Sequence, residues 1–136
     1  DSVFKVSSRI NSTWGGNLVD MVRCQRYLEI MEEERLVENA AKVGAHLKRG
    51  IESLAAERPD ALSNPRGLGV MCAIDLADGP TRDAVADRAY QLGMLILPCG
   101  EKSLRFRPPL DVTTAEVDEA LDILRRAILQ ESARSA

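Results

Sequence analysis

Apolar positions recur at helical spacing twice in the first half of the chain. Leu18, Met21, Val22, Leu28 and Met31 form one stripe, and Leu36, Ala40, Val43, Leu47, Ile51 and Leu54 form another. Each stripe predicts an amphipathic helix. The charged run MEEER separates them, and the second helix must stop before Pro59. Asn17 stands where its side-chain oxygen can cap the first helix. Ahead of it lies the loop 11–16, and before that a short alternating run, Val3, Phe4 and Val6, reads as a strand or an arm.

The pattern changes at residue 60. DALSNPRG is turn-rich and reads as a boundary. LGVMCAIDL then predicts one largely apolar strand of about eight residues, central in its sheet or covered on both faces. DGPT is a turn, with Thr81 placed to cap a helix that carries Val85, Ala89 and Leu92 and closes at Gly93. MLILP predicts a second strand, CGEKS a tight connection, and LRFRP a third strand ended by Pro108 and Pro109. TTAE supplies a capping box, Thr113 with Glu116. Val117, Leu121, Leu124 and Ile128 mark the final helix, and the tail ESARSA is expected to be disordered. The order β-α-β-β-α predicts an α+β fold: a small, mostly antiparallel sheet with helices on one face, preceded by a long helical segment. The expected division is 1–16 arm and loop, 17–58 connecting helices, 59–130 α+β domain and 131–136 tail.

The 136 residues suffice for one hydrophobic core, and a net charge of -3 argues against a nucleic-acid partner. The longest apolar run, GMLILP, is too short to span a bilayer, and the start shows no signal-peptide pattern, so no membrane role is expected. The chain does not begin with methionine and reads as a piece of something longer. Cys24, Cys72 and Cys99 are odd in number, far apart and without metal-ligand spacing, which reads as buried reduced thiols in a cytosolic protein. His46 reads as a solvated surface residue.

Three stretches are candidates for chemistry. NSTWGGN gathers Asn11, Ser12 and Thr13 with two glycines ahead of a helix start, a setting that favours an anion such as phosphate, or is simply a turn before a helix. In LRFRPPL, Arg105 and Arg107 alternate with Phe106. They could grip a carboxylate through the guanidinium fork, or lie on the surface or against internal acids. Arg66, Gly67 and Gly69 in NPRGLG are explained by a turn entering a strand. No Ser/His/Asp set, Cys/His pair or HExxH occurs, and no lysine sits in an apolar setting that would depress its pKa.

In sequence order, NSTWGGN, a long helix, RGLGVMCAIDL, LGMLILPCG and LRFRPPLDVTTAEVDEALDIL resemble the C-terminal part of class III, ornithine-aminotransferase-like, pyridoxal-phosphate aminotransferases. Within that class RINSTWGGN and RFRPPL are most similar to the L-lysine ε-aminotransferases. The resemblance implies a fold-type I enzyme of the cytoplasm, a homodimer with active sites at its interface, of which this stretch is the end of the large domain plus the small domain. It implies that Thr13, with Ser12 beside it, meets the phosphate of pyridoxal 5'-phosphate bound to the neighbouring subunit. It implies that Asn11 lies near the substrate and that Arg105, in the R-x-x-P-P pattern, binds a substrate carboxylate. Arg107 receives no role. In that family the Schiff-base lysine, the acid facing the pyridine nitrogen and the stacking aromatic all lie upstream of the threonine loop. No catalytic residue and no metal ligand is therefore expected here, and the isolated stretch is expected to be inactive. The implied reaction passes the ε-amino group of L-lysine to the 2-oxo acid 2-oxoglutarate. Ornithine, acetylornithine or 4-aminobutyrate as donor is the alternative within the class. Outside it stands a self-contained α+β module that binds a small acidic ligand or serves in assembly. The stripe at 18–31 wants a partner surface.

Overall fold

The computed structural model describes residues 5–7, 9 and 12–134. The alternating run at Val3 and Phe4 lies outside them, as does Asn11. The chain divides into two compact units, Asp1–Arg35 and Leu36–Ala136. The first contains helix α1, Leu18–Glu33, capped by Asn17, whose Oδ1 accepts from the Val19 N–H at 3.0 Å. None of its residues is buried, and Leu18, Val22 and Leu28 of the expected stripe stand exposed. The break between the two stripes falls at Arg35, whose φ of 53° is incompatible with a continuing helix.

The second unit opens with α2, Leu36–Glu57, so this helix packs with the sheet where the sequence groups it with α1 as a connector. Val43, Leu47, Ile51 and Leu54 are buried as their spacing predicts. Four strands follow in a fully antiparallel sheet of order β1-β2-β4-β3: β1 Ser63–Leu68, β2 Met71–Asp75, β3 Leu97–Cys99 and β4 Ser103–Phe106. Helix α3, Gly79–Gln91, lies between β2 and β3, and α4, Thr114–Arg134, closes the unit. The core joins Cys72, Ile74, Leu104 and Phe106 from one sheet face to apolar residues of α2, α3 and α4.

The strand order is therefore β-β-α-β-β-α, not β-α-β-β-α. The expected single strand in LGVMCAIDL is a hairpin: Leu68 pairs with Met71 across the two-residue turn Gly69–Val70. Gly69 supplies the positive φ, 54°, that such a turn needs at its first position. The turn is hidden in the sequence because Val70 is apolar and buried. β1 itself was read as boundary loop because of Asn64 and Pro65. The structure accommodates both: Asn64 adopts φ 51° at a register shift between Ser63 and Arg66, and proline is tolerated because β1 is an edge strand. β2 is central, as its composition predicts.

The helix ends show further differences. Asp78, not Thr81, caps α3: its Oδ1 accepts from the Thr81 N–H at 2.8 Å. Gly93 (φ 100°) does close α3, with Gly93 N–H donating to Tyr90 and Met94 N–H to Ala89, the paired bonds of a Schellman motif. The capping box forms, with Thr113 N–H donating to Glu116 Oε2 at 2.8 Å and Glu116 N–H to Thr113 Oγ1 at 3.3 Å. Helix α4 runs on through Glu131–Arg134, part of the tail expected to be disordered. A tertiary contact explains this: Arg58 donates to Ser132 Oγ at 3.0 Å and holds the last turn.

His46 is not a solvated bystander. Its Nε2 lies 2.6 Å from Asp118 Oδ1 and links α2 to α4. Of the three free cysteines only Cys72 is buried; Cys99 is half-buried and Cys24 exposed. No helix among the described residues is long and apolar enough to cross a membrane.

Candidate functional site

Ser12 to Asn17 form a turn that is closed from within. Gly15 N–H donates to Ser12 O at 3.0 Å, Trp14 N–H to Ser12 Oγ at 3.3 Å, and Asn17 N–H to Trp14 O at 3.3 Å. Gly16, at φ 80°, turns the chain into α1. Ser12 thus uses its hydroxyl to build the turn. Thr13 is exposed, and its N–H and hydroxyl make no hydrogen bond among the described residues. An outward N–H and O–H on one residue, at the positive end of a helix, match the acceptors of an anionic phosphate. The donor set therefore fits the phosphate of the cofactor that the resemblance implies. Trp14 beside it is 76% exposed.

Arg105 belongs to the second unit. Strand alternation puts it on the sheet face turned away from the core, because its neighbours Leu104 and Phe106 are buried in that core. The register sets one row across the sheet: Arg66 opposite Ala73, Ala73 opposite Arg105, Arg105 opposite Leu97. The Nε of Arg105 is buried without a hydrogen-bond partner, and no acid pairs with its guanidinium among the described residues. Burying a guanidinium nitrogen unpaired is costly. A carboxylate supplied from outside would satisfy it. Arg105 also borders an open cavity of about 600 Å³ edged by Leu95, Leu97, Arg107, Pro109 and Glu116. Arg107 lies just past β4, exposed.

The segments on either side of β4 are each held by a residue that has no visible signal in the sequence. Asn39 of α2 donates from Nδ2 to the carbonyls of Leu110 and Val112, at 2.8 and 3.0 Å. Arg82 of α3 donates to the carbonyls of Gly100 and Glu101 in the β3–β4 connection. Both are polar residues on helices whose partners lie far along the chain.

Arg66 does more than enter a strand. Its Nη1 lies 2.7 Å from Asp75 Oδ1 and its Nη2 donates to Ser103 Oγ at 2.9 Å. Ser103 Oγ donates to Asp75 Oδ1 at 2.5 Å, and Asn64 Nδ2 to Asp75 Oδ2 at 3.0 Å. Burial pushes the Asp75 carboxyl up, but the bonds from Ser103, Arg66 and Asn64 outweigh it and hold the group at about 2. The depressed value makes Asp75 stabilising above its unfolded pKa of 3.8, with that contribution lost as pH falls from there through 2. Acid titration of unfolding should therefore show roughly 2 kcal/mol lost below about pH 4.5 in the native sequence and a flatter curve in Asp75→Asn. Parallel acid limbs in the two proteins would remove this assignment.

No cluster of three His, Cys, Asp or Glu among the described residues could hold a metal ion.

The class-III aminotransferase family model matches residues 2–128. The L-lysine-epsilon aminotransferase of Amycolatopsis lactamdurans is 50% identical over 128 residues, 93% of this chain and 28% of that protein. The enzyme of the same name from Mycobacterium tuberculosis is 47% identical, over 94% of this chain and 28% of its own length. The solved structure of lysine aminotransferase from M. tuberculosis superposes with a TM-score of 0.85 at 46% identity, covering 95% of this chain and 30% of that one. The chain thus spans little more than a quarter of the relatives it matches.

Proposed function

The chain belongs to the class-III aminotransferase family, and from that premise we propose that it is the C-terminal part of a pyridoxal-phosphate enzyme that moves the ε-amino group of L-lysine to 2-oxoglutarate. The observation that carries the substrate assignment is the 50% identity to an L-lysine-epsilon aminotransferase along nearly the whole chain. The family match favours this over a self-contained binding module.

When bound, the cofactor supplies an electron sink for breaking a bond at the amine-bearing carbon. This chain's residues serve around that centre. Thr13 offers its N–H and hydroxyl to the phosphate and so fixes the ring's distance from the loop, while Ser12 keeps the turn in shape. In the homodimer this loop reaches the cofactor of the neighbouring subunit. Arg105 takes a substrate carboxylate in its guanidinium fork and so sets which amine is presented. The lysine that would move the proton of the amine-bearing carbon belongs to the preceding part of the full-length protein, so this stretch alone contributes contacts and no proton transfer.

The test is a comparison of amino donors by the full-length protein. L-lysine with 2-oxoglutarate is expected to exceed ornithine, acetylornithine and 4-aminobutyrate in kcat/KM by about tenfold or more, a discrimination of roughly 1.4 kcal/mol. A preference for any of the other three would assign the chain to a different member of the class.

A further inference from the structure

Two helix side chains grip the main chain on either side of β4, the strand that carries Arg105. Ahead of it, Arg82 of α3 donates from Nη1 to the carbonyls of Gly100 and Glu101, at 3.0 and 3.1 Å. The Nε of Arg82 donates to Asp83 Oδ1 at 2.8 Å, which steadies the guanidinium. Gly79, the first residue of α3, lets the helix come this close, since an added Cβ would stand 3.0 Å from the Glu101 carbonyl oxygen. Beyond β4, Asn39 of α2 uses both hydrogens of its amide nitrogen, one for the carbonyl of Leu110 at 2.8 Å and one for that of Val112 at 3.0 Å.

These grips add what the sheet and the core leave open. The ladder fixes Arg105 against Ala73 and Leu97, within the sheet. Apolar packing holds the sheet on its helices, but it is non-directional and permits small sliding and tilting of one layer on the other. A hydrogen bond from a helix side chain to main chain has direction, and so sets β4 against α2 and α3. Asn39 acts where the ladder has ended. Residues 107–113 lie between β4 and α4, and Pro108 and Pro109 there have no N–H to donate. The fixed φ of the two prolines makes the link stiff, so a shift at Leu110 is passed back toward Arg105. A guanidinium fork takes a carboxylate only in a matching orientation, and a misplacement of about 1 Å can cost about a hundredfold. We propose that Asn39 is a positioning residue for Arg105: by holding the segment beyond Pro108–Pro109, while Arg82 holds the opposite end of β4, it sets where the guanidinium meets the substrate's carboxylate.

This inference rests on Arg105 being the substrate clamp, and the experiment separates the two. In the full-length enzyme, Asn39→Ala is expected to raise KM for lysine and 2-oxoglutarate about tenfold while kcat stays within about twofold. Asn39→Gln keeps the amide on a longer arm and should raise KM about fourfold; it reads the same effect if the alanine variant does not fold. On an Arg105→Ala background either substitution should change KM by less than about twofold, because the group it positions is gone. A merely structural role would act in full on both backgrounds. A native KM in the Asn39 variants, or a rise that Arg105→Ala leaves undiminished, overturns the proposal. A native KM in Arg105→Ala alone overturns instead the reading beneath it.

Discussion

Arg105→Ala in the full-length enzyme should raise KM for its carboxylate substrates about a hundredfold, within the 2–5 kcal/mol expected for removing one member of a desolvated charged pair. The size follows from what a desolvated guanidinium gains from a carboxylate. Among the described residues the buried Nε of Arg105 has no hydrogen-bond partner, and a carboxylate would supply one. Truncation breaks no ion pair among the described residues, so a small effect on the stability of this unit is expected. Arg105→Lys should fall between the two, because an ammonium keeps the attraction and loses the two-pronged geometry. Steady-state kinetics for both substrates, with Tm measured alongside, checks all three statements. A lowered Tm with native KM would mean that Arg105 is only a strand residue.

The largest stability effect is expected at a residue with no side chain. Gly44 of α2 faces the backbone of Gly69 in the β1–β2 turn so closely that an added Cβ would overlap the carbonyl carbon and oxygen there. The obstacle is main chain, fixed by the hairpin, and cannot rotate away. Gly44→Val should cost about 3 kcal/mol or more, the upper end of overpacking, with no gain from helix propensity. Gly44→Ala should cost less, because alanine gains about 1 kcal/mol over glycine within a helix. Urea unfolding midpoints of the two variants give the comparison. If Gly44→Ala were as stable as the native chain, α2 and the hairpin would have to be separable by a small shift.

Much of the fold was legible. Periodicity placed α2 and α4 and their buried stripes, and cap chemistry placed Asn17, Gly93 and the Thr113–Glu116 box. These are signals within one turn or one face. Misreadings occurred where a local signal has two meanings. Val70 continued an apolar run although it sits in a turn, and Pro65 argued against a strand although an edge position excuses it. Thr81 lost the cap to Asp78, three residues earlier, because either side chain could serve and only backbone geometry chooses. The family was recognisable from its linear motifs, which the family model matches over residues 2–128. Asn39, Arg82 and the Arg66–Asp75–Ser103 set were not, because their partners are remote in sequence.

By itself, then, the sequence determined the helical faces, most of the caps and the family, since each depends on neighbours a few positions away or on a linear pattern. Only the tertiary structure decided which arginine meets Asp75. Arg66 and Arg105 look alike in one dimension. The antiparallel register gives both the same diagonal neighbour, and it is Arg66 that Asp75 bonds, together with the hydroxyl of Ser103 and the amide of Asn64.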